Sequence, residues 1–399
     1  MTKKIYWENP YLNEFQAKVL DKKLKDNKWH VKLDKTIFYP DNSGGQLGDL
    51  GTISGQKVLS TYEENGDILH ILERDISGPN VELKIDYNRR FDLMQQHTGQ
   101  HLLSGVFYNL LAADTVGFHL GEETATIDIT IADLSNQEAE RVELLCNKII
   151  QSNFKVESYI VEKDKISSLP VRKAPTIDEN IRIVEIDGYD FSPCGGTHLN
   201  NLGELGLVKI SKWERYKGNT RVEFICGMRA FDDYSMKSDI VKKTSLLLGS
   251  NYSQVYDRLE KVYEDKVKLE KDNSALKENL YSLYSDLLYK ESINTVYGKL
   301  LLNVFSDLDF KEISKMSSIV SNNYEDVIQL YGIKDNDNAQ FILNKSKNVD
   351  LDLQKLYNKV STSFKIKGGG NPNTVQGSVL SEDLDNIISL FKDLILQEK

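Results

Sequence analysis

Cysteine is scarce in this chain of 399 residues, and long apolar runs are missing. Its three cysteines, Cys146, Cys194 and Cys226, are an odd number at wide spacing, which excludes a disulfide framework and favours a reducing cytoplasm. No apolar run reaches the ~18 residues that a membrane helix needs, so we expect no membrane-spanning segment. The amino-terminal lysines are not followed by an apolar stretch, and we therefore expect no signal peptide.

An excess of positive charge is also missing, since the formal net charge is −10. That charge excludes a protein that coats nucleic acid through bulk electrostatics, although it says nothing about local grouping. Basic residues do gather within residues 89–90, 209–221 and 365–367. We interpret these three groups as candidate phosphate contacts.

The pattern of predicted elements changes along the chain, which at this length should form two or three domains. Residues 1–88 contain short strands separated by turns, which predicts a small β-barrel. Residues 89–232 mix helices and strands and predict an α+β domain, while residues 233–292 are helical. Residues 293–399 alternate helix and strand and include a second glycine-rich loop at 368–377. The predicted fold class is therefore α+β, in four regions.

Apolar residues recur every seven positions within residues 255–287, a pattern typical of a coiled coil. Lys266 and Asn273 interrupt one of the two apolar rows, as polar residues that fix register and partner number do. The pattern predicts self-association, and one long helix packed on its own domain is the alternative. The two rows are Val255, Val262, Leu269, Leu276 and Leu283, and Leu259, Lys266, Asn273, Leu280 and Leu287.

Two short motifs together offer a ligand set that suits zinc. His97 and His101 stand four apart in a predicted helix and so share one of its faces. Cys194 and His198 are also four apart and flank a Gly-Gly turn. Each motif alone is a weak signal, because unrelated surface or core histidines produce the same spacing. Three imidazoles and one thiolate nevertheless complete one tetrahedral zinc set.

Four protein ligands leave the role of such an ion open, since closed sites are usually structural and catalytic zinc keeps one position free. Either the ion accepts a fifth ligand, or one of the four residues stands back. A catalytic ion would polarise a carbonyl group or lower the pKa of bound water to about 7. Neither motif contains the acidic residue of His-Glu-x-x-His peptidases, which disfavours peptidase activity. Neither glycine-rich loop matches a P-loop, which disfavours binding of a nucleoside triphosphate.

These motifs resemble those of the editing region of alanyl-tRNA synthetases. Residues 90–103 and 194–198 resemble its two zinc motifs, and residues 221–227 resemble the strand that closes that domain. Residues 368–377 are similar to the DHH-associated C-terminal domain of the same enzymes, with a shorter glycine run. The barrel motif is matched by Phe38-Tyr39-Pro40 followed by Ser43-Gly44-Gly45-Gln46.

Because no part of the chain matches the large aminoacylation portion, the resemblance is to the free-standing AlaX editing proteins in their long form. It implies a cytoplasmic hydrolase that cleaves the ester of tRNA(Ala) mischarged with serine or glycine, small side chains that a synthetase pocket separates poorly. It implies one zinc ion, held by His97, His101, Cys194 and His198. Thr36 is the candidate reader of the serine hydroxyl, and Gln46 the candidate contact to the substrate or its terminal ribose. The implied substrate-binding residues are Gly44, Gly45, Arg90 and Gln95.

Other functions remain open at this point. An editing domain that removes serine from tRNA(Thr) shares part of the pattern, although Cys-Gly-Gly-Thr-His together with the Gly-Gly-Gln loop favours the alanine type. A catalytically inert module that binds tRNA or dimerises around a structural zinc is the second alternative. A DHH phosphoesterase is excluded, because no two histidines are adjacent. We expect a homodimer through residues 255–287 and the C-terminal domain, whose role is tRNA binding or dimerisation.

Overall fold

Residues 1–41, 43–175, 180–335 and 337–397 are described by the computed structural model; Asn42 of the glycine-rich loop lies outside them. The chain divides into two units, Met1–Thr244 and Ser245–Lys399. The finer division at residues 88, 232 and 292 stays a prediction. Across the described ranges, no helix has both the length and the apolarity needed to cross a membrane.

Six strands of the first unit pair in a closed ring, so the predicted β-barrel is present. Apolar side chains alternate with exposed ones, as in Asn80–Ile85, where Val81, Leu83 and Ile85 are buried, and this alternation fills the barrel interior. The ring order is β2-β3-β7-β6-β5-β8, with every neighbouring pair antiparallel. The elements of this region are β1 (Lys3–Lys4), α1 (Ile5–Glu8), β2 (Glu14–Lys25), β3 (Lys28–Leu33), β4 (Lys35–Thr36), β5 (Gly51–Ile53), β6 (Gln56–Glu64), β7 (Asp67–Leu72) and β8 (Asn80–Ile85).

A mixed region completes the first unit around one long buried helix. Its elements are α2 (Tyr87–Leu111), β9 (Thr115–Leu120), β10 (Ala125–Ile129), α3 (Asn136–Gln151), β11 (Val156–Val161), α4 (Lys163–Ile166), β12 (Ile181–Ile186), β13 (Asp190–Pro193), β14 (Val208–Tyr216), β15 (Asn219–Cys226) and α5 (Gly227–Leu248). One sheet has the order β14-β15-β10-β9 and a second has β11-β12-β13. Helices α2 and α3 share one apolar core with both sheets. The region is α+β, as predicted.

Local signals set the ends of the helices. Helix α3 begins at a capping box, in which the side chains of Ser135 and Glu138 each bond the backbone of the other residue. Helix α2 begins at Tyr87, because the Asp86 side chain accepts from the Arg89 amide and caps the helix there.

The second unit is a six-stranded sheet with helices on both faces. Its elements are α6 (Val255–Lys290), β16 (Ile293–Thr295), β17 (Gly298–Phe305), α7 (Phe310–Asn323), β18 (Val327–Asp335), β19 (Asn338–Lys345), α8 (Leu353–Ser361), β20 (Lys367–Asn371), β21 (Thr374–Leu380) and α9 (Leu384–Gln397). The strand order is β16-β17-β18-β19-β21-β20, and β17 and β18 are parallel. Helices α8 and α9 cover one face, and α6 and α7 cover the other.

The second glycine-rich segment is not the loop that the sequence predicts. Gly368 and Gly370 lie in β20, which pairs with β21 in an antiparallel hairpin at the edge of the sheet. Three consecutive glycines carry no side-chain alternation, so the strand left no periodic signal in the sequence.

Candidate metal centre

Helix α2 carries His97 and His101 one turn apart, and both side chains are buried. Gln96 fixes this helix against the end of β15. Its Nε2 donates to the carbonyl oxygen of Cys226 at 3.0 Å, and its Oε1 accepts from the amide of Cys226 at 2.9 Å. This paired contact holds the rotation of the helix and therefore the direction of the two imidazoles.

Residues 194–198 form an irregular turn after β13 that is held from outside. Arg182 donates from Nη1 to the carbonyl oxygens of Cys194 and Gly196, both at 2.9 Å. Trp7 donates from Nε1 to the carbonyl oxygen of the intervening glycine at 2.8 Å. These bonds fix the backbone of the turn, so its side-chain donors are placed by the protein itself.

The helix and the turn bring four donor atoms together, because the ligand atoms of His97, His101, Cys194 and His198 all lie within 4.8 Å of one another. Nε2 of His97 lies 3.4 Å from Cys194 Sγ, and Nε2 of His198 lies 3.3 Å from it. The three histidines are buried. Three imidazole nitrogens and a sulfur in so small a space could hold one metal ion in a tetrahedral arrangement.

Burial and neighbouring groups set the protonation of these donors. Burial would raise the pKa of the Cys194 thiol, but the rings of His97 and His198 hold it well below its usual value and favour the thiolate. Burial holds the pKa of His198 well below its usual value, so this ring is neutral. Thiolate and neutral imidazole are the forms that bind a metal ion.

A carboxylate that sequence analysis missed orients His101. The Nδ1 of His101 donates to Asp190 Oδ2 at 2.7 Å, which leaves Nε2 facing the other donors. Asp190 is held in turn, because its Oδ1 accepts from Arg172 Nε at 2.8 Å and from the Ser192 hydroxyl at 3.0 Å. Burial would lower the pKa of His101, but its bonds to Asp190 and Cys194 raise it to about 9. No spacing pattern marks Asp190, so no sequence signal could have found it.

Gln46 reaches the same group from the barrel loop, where all its hydrogen bonds go to the protein, and its contact to substrate stays a prediction. Its Oε1 accepts from His97 Nδ1 at 2.8 Å and from the amide of Thr197 at 3.1 Å, and its Nε2 donates to the Thr197 hydroxyl at 2.9 Å. The side chain is buried behind His97. Gln46 therefore joins the two histidine-containing motifs and fixes the tautomer of His97.

Thr36 is buried inside the barrel and does not line the cavity beside the donors. Its hydroxyl oxygen lies 2.8 Å from His70 Nε2 and accepts from the amide of Phe38 at 3.0 Å. Since His70 Nδ1 donates to the carbonyl oxygen of Val31 at 3.2 Å, its Nε2 is the acceptor for the Thr36 hydroxyl. The role of Thr36 in reading a serine hydroxyl stays a prediction.

Arg90 and Gln95 also lie away from the cavity, and their expected role in binding substrate stays a prediction. The buried guanidinium of Arg90 pairs with Asp49 and donates to the carbonyl oxygens of Ile37 at 2.6 Å and Pro10 at 2.7 Å. Gln95 Nε2 donates to the carbonyl oxygen of Glu204 at 2.9 Å. Both side chains hold α2 in the fold, and neither has a polar group directed at the donor atoms.

A cavity of about 340 Å³ opens beside the donor group. His97, His101 and Cys194 form part of its wall, and Gly44 of the barrel loop and strand β9 contribute on another side. Gly45 packs against the ring of Phe118, which also lines the cavity. Of the predicted substrate-binding residues, only Gly44 lines this cavity.

Four of the five cations within residues 209–221 are paired with carboxylates, and the fifth, Lys217, lies over the ring of Tyr216. The nitrogen–oxygen distances are 2.8 Å for Lys209–Glu143, 3.3 Å for Lys212–Glu223, 2.7 Å for Arg215–Asp133 and 2.7 Å for Arg221–Asp128. These pairs compete with phosphate for the cations, so the interpretation as a phosphate contact gains no support here.

A barrel loop, a group of three histidines and a cysteine that could hold a metal ion, and an adjoining cavity define the candidate site of this α+β protein. Residues 181–223 match the family described as "Threonyl and Alanyl tRNA synthetase second additional domain", and residues 297–397 match the DHHA1 domain. The chain belongs to the alanyl-tRNA editing protein family, as a relative from Danio rerio shows. That protein, alanyl-tRNA editing protein Aarsd1, is 31% identical over 67% of this chain and 68% of its own length.

Two further relatives match similar parts of the chain. Alanyl-tRNA editing protein AlaX-L from Pyrococcus horikoshii is 40% identical over 58% of this chain and 59% of its own length. The alanine–tRNA ligase of Ignicoccus hospitalis is 33% identical over 65% of this chain, but only 30% of the ligase is covered. The alignments thus span little more than half of the AlaX-L protein and less than a third of the ligase.

Proposed function

We propose that this protein is an aminoacyl-tRNA deacylase that hydrolyses the ester of tRNA(Ala) mischarged with serine, in the cytoplasm. The observation that carries the proposal is the buried group of His97, His101, Cys194 and His198 at the wall of an open cavity. Membership of the alanyl-tRNA editing family supports the choice of tRNA(Ala). Glycyl-tRNA(Ala) is the second substrate to test.

We propose zinc as the resident ion, one per chain. Three imidazole nitrogens and a sulfur match the preference of zinc for nitrogen and sulfur ligands. When bound, the ion would supply polarisation of the ester carbonyl or activation of water. The chain's own contribution is orientation: Asp190 and Gln46 hold the two α2 histidines with Nε2 inward.

The cavity supports a polyanionic substrate. Arg172, Lys173 and Arg182 all line it, and Lys173 is exposed. Arg172 donates to Asp190 and Ser192, and Arg182 donates to the carbonyl oxygens of Cys194 and Gly196. Lys173, the exposed cation of the three, is therefore the one that we expect to meet a phosphate near the 3′ end of the tRNA.

Deacylation assays test the proposal directly. The protein is incubated with Ser-tRNA(Ala), Gly-tRNA(Ala), Ala-tRNA(Ala) and Ser-tRNA(Thr), each with and without a zinc chelator. We expect serine release from Ser-tRNA(Ala) that the chelator abolishes and zinc restores, with Ala-tRNA(Ala) intact. Release from Ser-tRNA(Thr) alone would establish the threonine-type alternative, and binding without any release would establish an inert module.

We also propose that the chain forms a homodimer through α6. The last turns of this helix pack against its own unit through three buried residues, Tyr281, Ser285 and Leu288. The leucines of the two heptad rows are exposed instead; Leu269 is 66% and Leu276 is 67% exposed. A long apolar row left in water favours pairing with a second copy. Light scattering of the full chain is expected to give twice the mass of one chain.

A further inference from the structure

Strand β9 presents two apolar side chains to the cavity. It lies at the edge of its sheet beside β10, and Val116, at an irregularity in that pairing, and Phe118 stand two residues apart. Both line the cavity, and they are 51% and 36% exposed. The proposed reaction at the donor group does not account for an exposed aromatic ring at this position.

The ring of Phe118 is held in place close to the donors. Its centroid lies 5.8 Å from that of the His97 ring, with 31° between the planes. Gly45 supports the ring closely, because a Cβ added to Gly45 would lie 2.6 Å from two atoms of it. The glycine of the barrel loop thus makes room for an aromatic ring beside the reaction centre.

Trp7, the other aromatic ring lining the described part of the cavity, is already engaged. Its Nε1 donates to Gly195, and Lys4 Nζ lies 4.5 Å and the Arg182 guanidinium 5.9 Å from its ring centroid. Phe118 therefore offers the aromatic surface that remains exposed to an incoming ligand.

We propose that Phe118 is the stacking platform for the adenine base at the 3′ end of the tRNA. This inference rests on the proposed function, which places the ester of the terminal ribose at the donor group. The adenine base is attached to the same ribose that carries the ester, and the ring of Phe118 lies beside the ring of His97. Aromatic side chains bind nucleobases by stacking, and each stacked base contributes about 1–3 kcal/mol.

A thermodynamic cycle tests the contact between ring and base. The ligand is an RNA microhelix with serine joined to the 3′ ribose by an amide, which cannot be hydrolysed as the ester is. It is prepared with a terminal adenine and without that base, and its binding is measured to the wild type and to Phe118→Ala. Removing the base should weaken binding to the wild type about 5- to 150-fold and binding to Phe118→Ala hardly at all. An equal loss in both proteins would overturn the proposal.

Matched variants separate stacking from general damage. Phe118→Trp should retain the base dependence, and Val116→Ala, which shortens the other apolar side chain of β9 at the cavity, should keep the wild-type ratio. Phe118→Leu preserves apolar volume without a ring and should lose most of the ratio, which decides the question if Phe118→Ala does not fold. Zinc content confirms that the centre is intact in each. Base-dependent binding without any deacylation by the wild type would reject the proposed function and leave the platform standing.

Discussion

At the scale of single residues, the donor group depends on side chains behind it as much as on the four donors. Gln46 and Asp190 each use the outer nitrogen of a histidine and thereby select the nitrogen that faces inward. Gln46 was expected at the substrate and Asp190 was not expected at all. Spacing identified the donors because the two donors of each motif are only four residues apart. Gln46 and Asp190 are far in sequence from the histidines that they orient.

Replacing Asp190 should therefore weaken the metal centre without removing a ligand. Asp190→Asn is expected to lower zinc affinity about 10- to 100-fold, measured by competition with a chelator of known affinity. Asp187→Asn changes an exposed carboxylate nearby and should leave the affinity unchanged. Equal affinities for wild type and Asp190→Asn would refute the orienting role.

The two glycines of the Cys-Gly-Gly-Thr-His turn should respond differently to a methyl group. A Cβ on Gly196 would lie 2.2 Å from His97 Cε1, whereas the nearest atom to a Cβ on Gly195 is 3.9 Å away. Gly196→Ala should lower the free energy of unfolding by about 1–3 kcal/mol and lose stoichiometric zinc, while Gly195→Ala should do neither. Calorimetry and metal analysis of the two proteins decide the point.

His70 should make stability depend on pH. Burial lowers its pKa to about 4 in the folded chain, against about 6.5 when unfolded. The unfolded state therefore binds a proton first as pH falls, so stability is full above pH ~6.5 and falls by at most about 3 kcal/mol as pH approaches 4. Urea unfolding with chelator present should show a shallower fall for His70→Gln than for wild type. Exposed His119→Gln is the control, and parallel curves for wild type and His70→Gln would contradict the prediction.

At the scale of elements, α2 is the piece on which the first unit is assembled. The sequence predicted a helix through His97 and His101, but the rotation of that helix is set by polar contacts. Gln96 bonds it to β15, and Arg90 bonds it to the barrel through Asp49. Such long-range pairs leave no mark in local periodicity, which explains why Arg90 was expected at the substrate.

The pair of Arg90 and Asp49 should behave as a buried ion pair, since both side chains are 0% exposed. Arg90→Met leaves the carboxylate buried and uncompensated, and we expect it to cost about 3–5 kcal/mol of unfolding free energy. Adding Asp49→Asn should recover part of that loss. Arg89→Met removes an adjacent arginine paired with the exposed Glu122 and should cost less than about 1 kcal/mol. If the double variant lost as much unfolding free energy as the two single variants together, the two charges would not be coupled.

At the scale of the whole molecule, the chain combines a unit that carries the donor group with a unit that presents the heptad rows of α6. The rows predicted from the sequence fall within one helix of 36 residues, and most of their leucines are exposed in a single chain. The proposed homodimer would bury this apolar heptad surface against a second copy of the chain.

Charges placed in these rows should prevent dimer formation. Leu269→Lys combined with Leu276→Lys is expected to halve the mass measured by light scattering, because two lysines would have to be buried at the proposed interface. Leu144→Lys charges a leucine of similar exposure on α3 and should leave the mass at that of the wild type. A double variant with unchanged mass would exclude α6 as the interface.

The sequence by itself determined which regions form helices or strands, the barrel, the heptad helix and the four donors. Each of these features follows from residue spacing over a few positions or from periodicity. It failed for β20, whose glycines have no periodicity. Only the tertiary structure decided that Asp190 and Gln46 orient the histidines, that Arg90 and Gln95 bond α2 to the rest of the fold, and that Phe118 faces the cavity. These roles depend on contacts between residues far apart in the chain, and the distance between two such side chains is set by packing and not by their order.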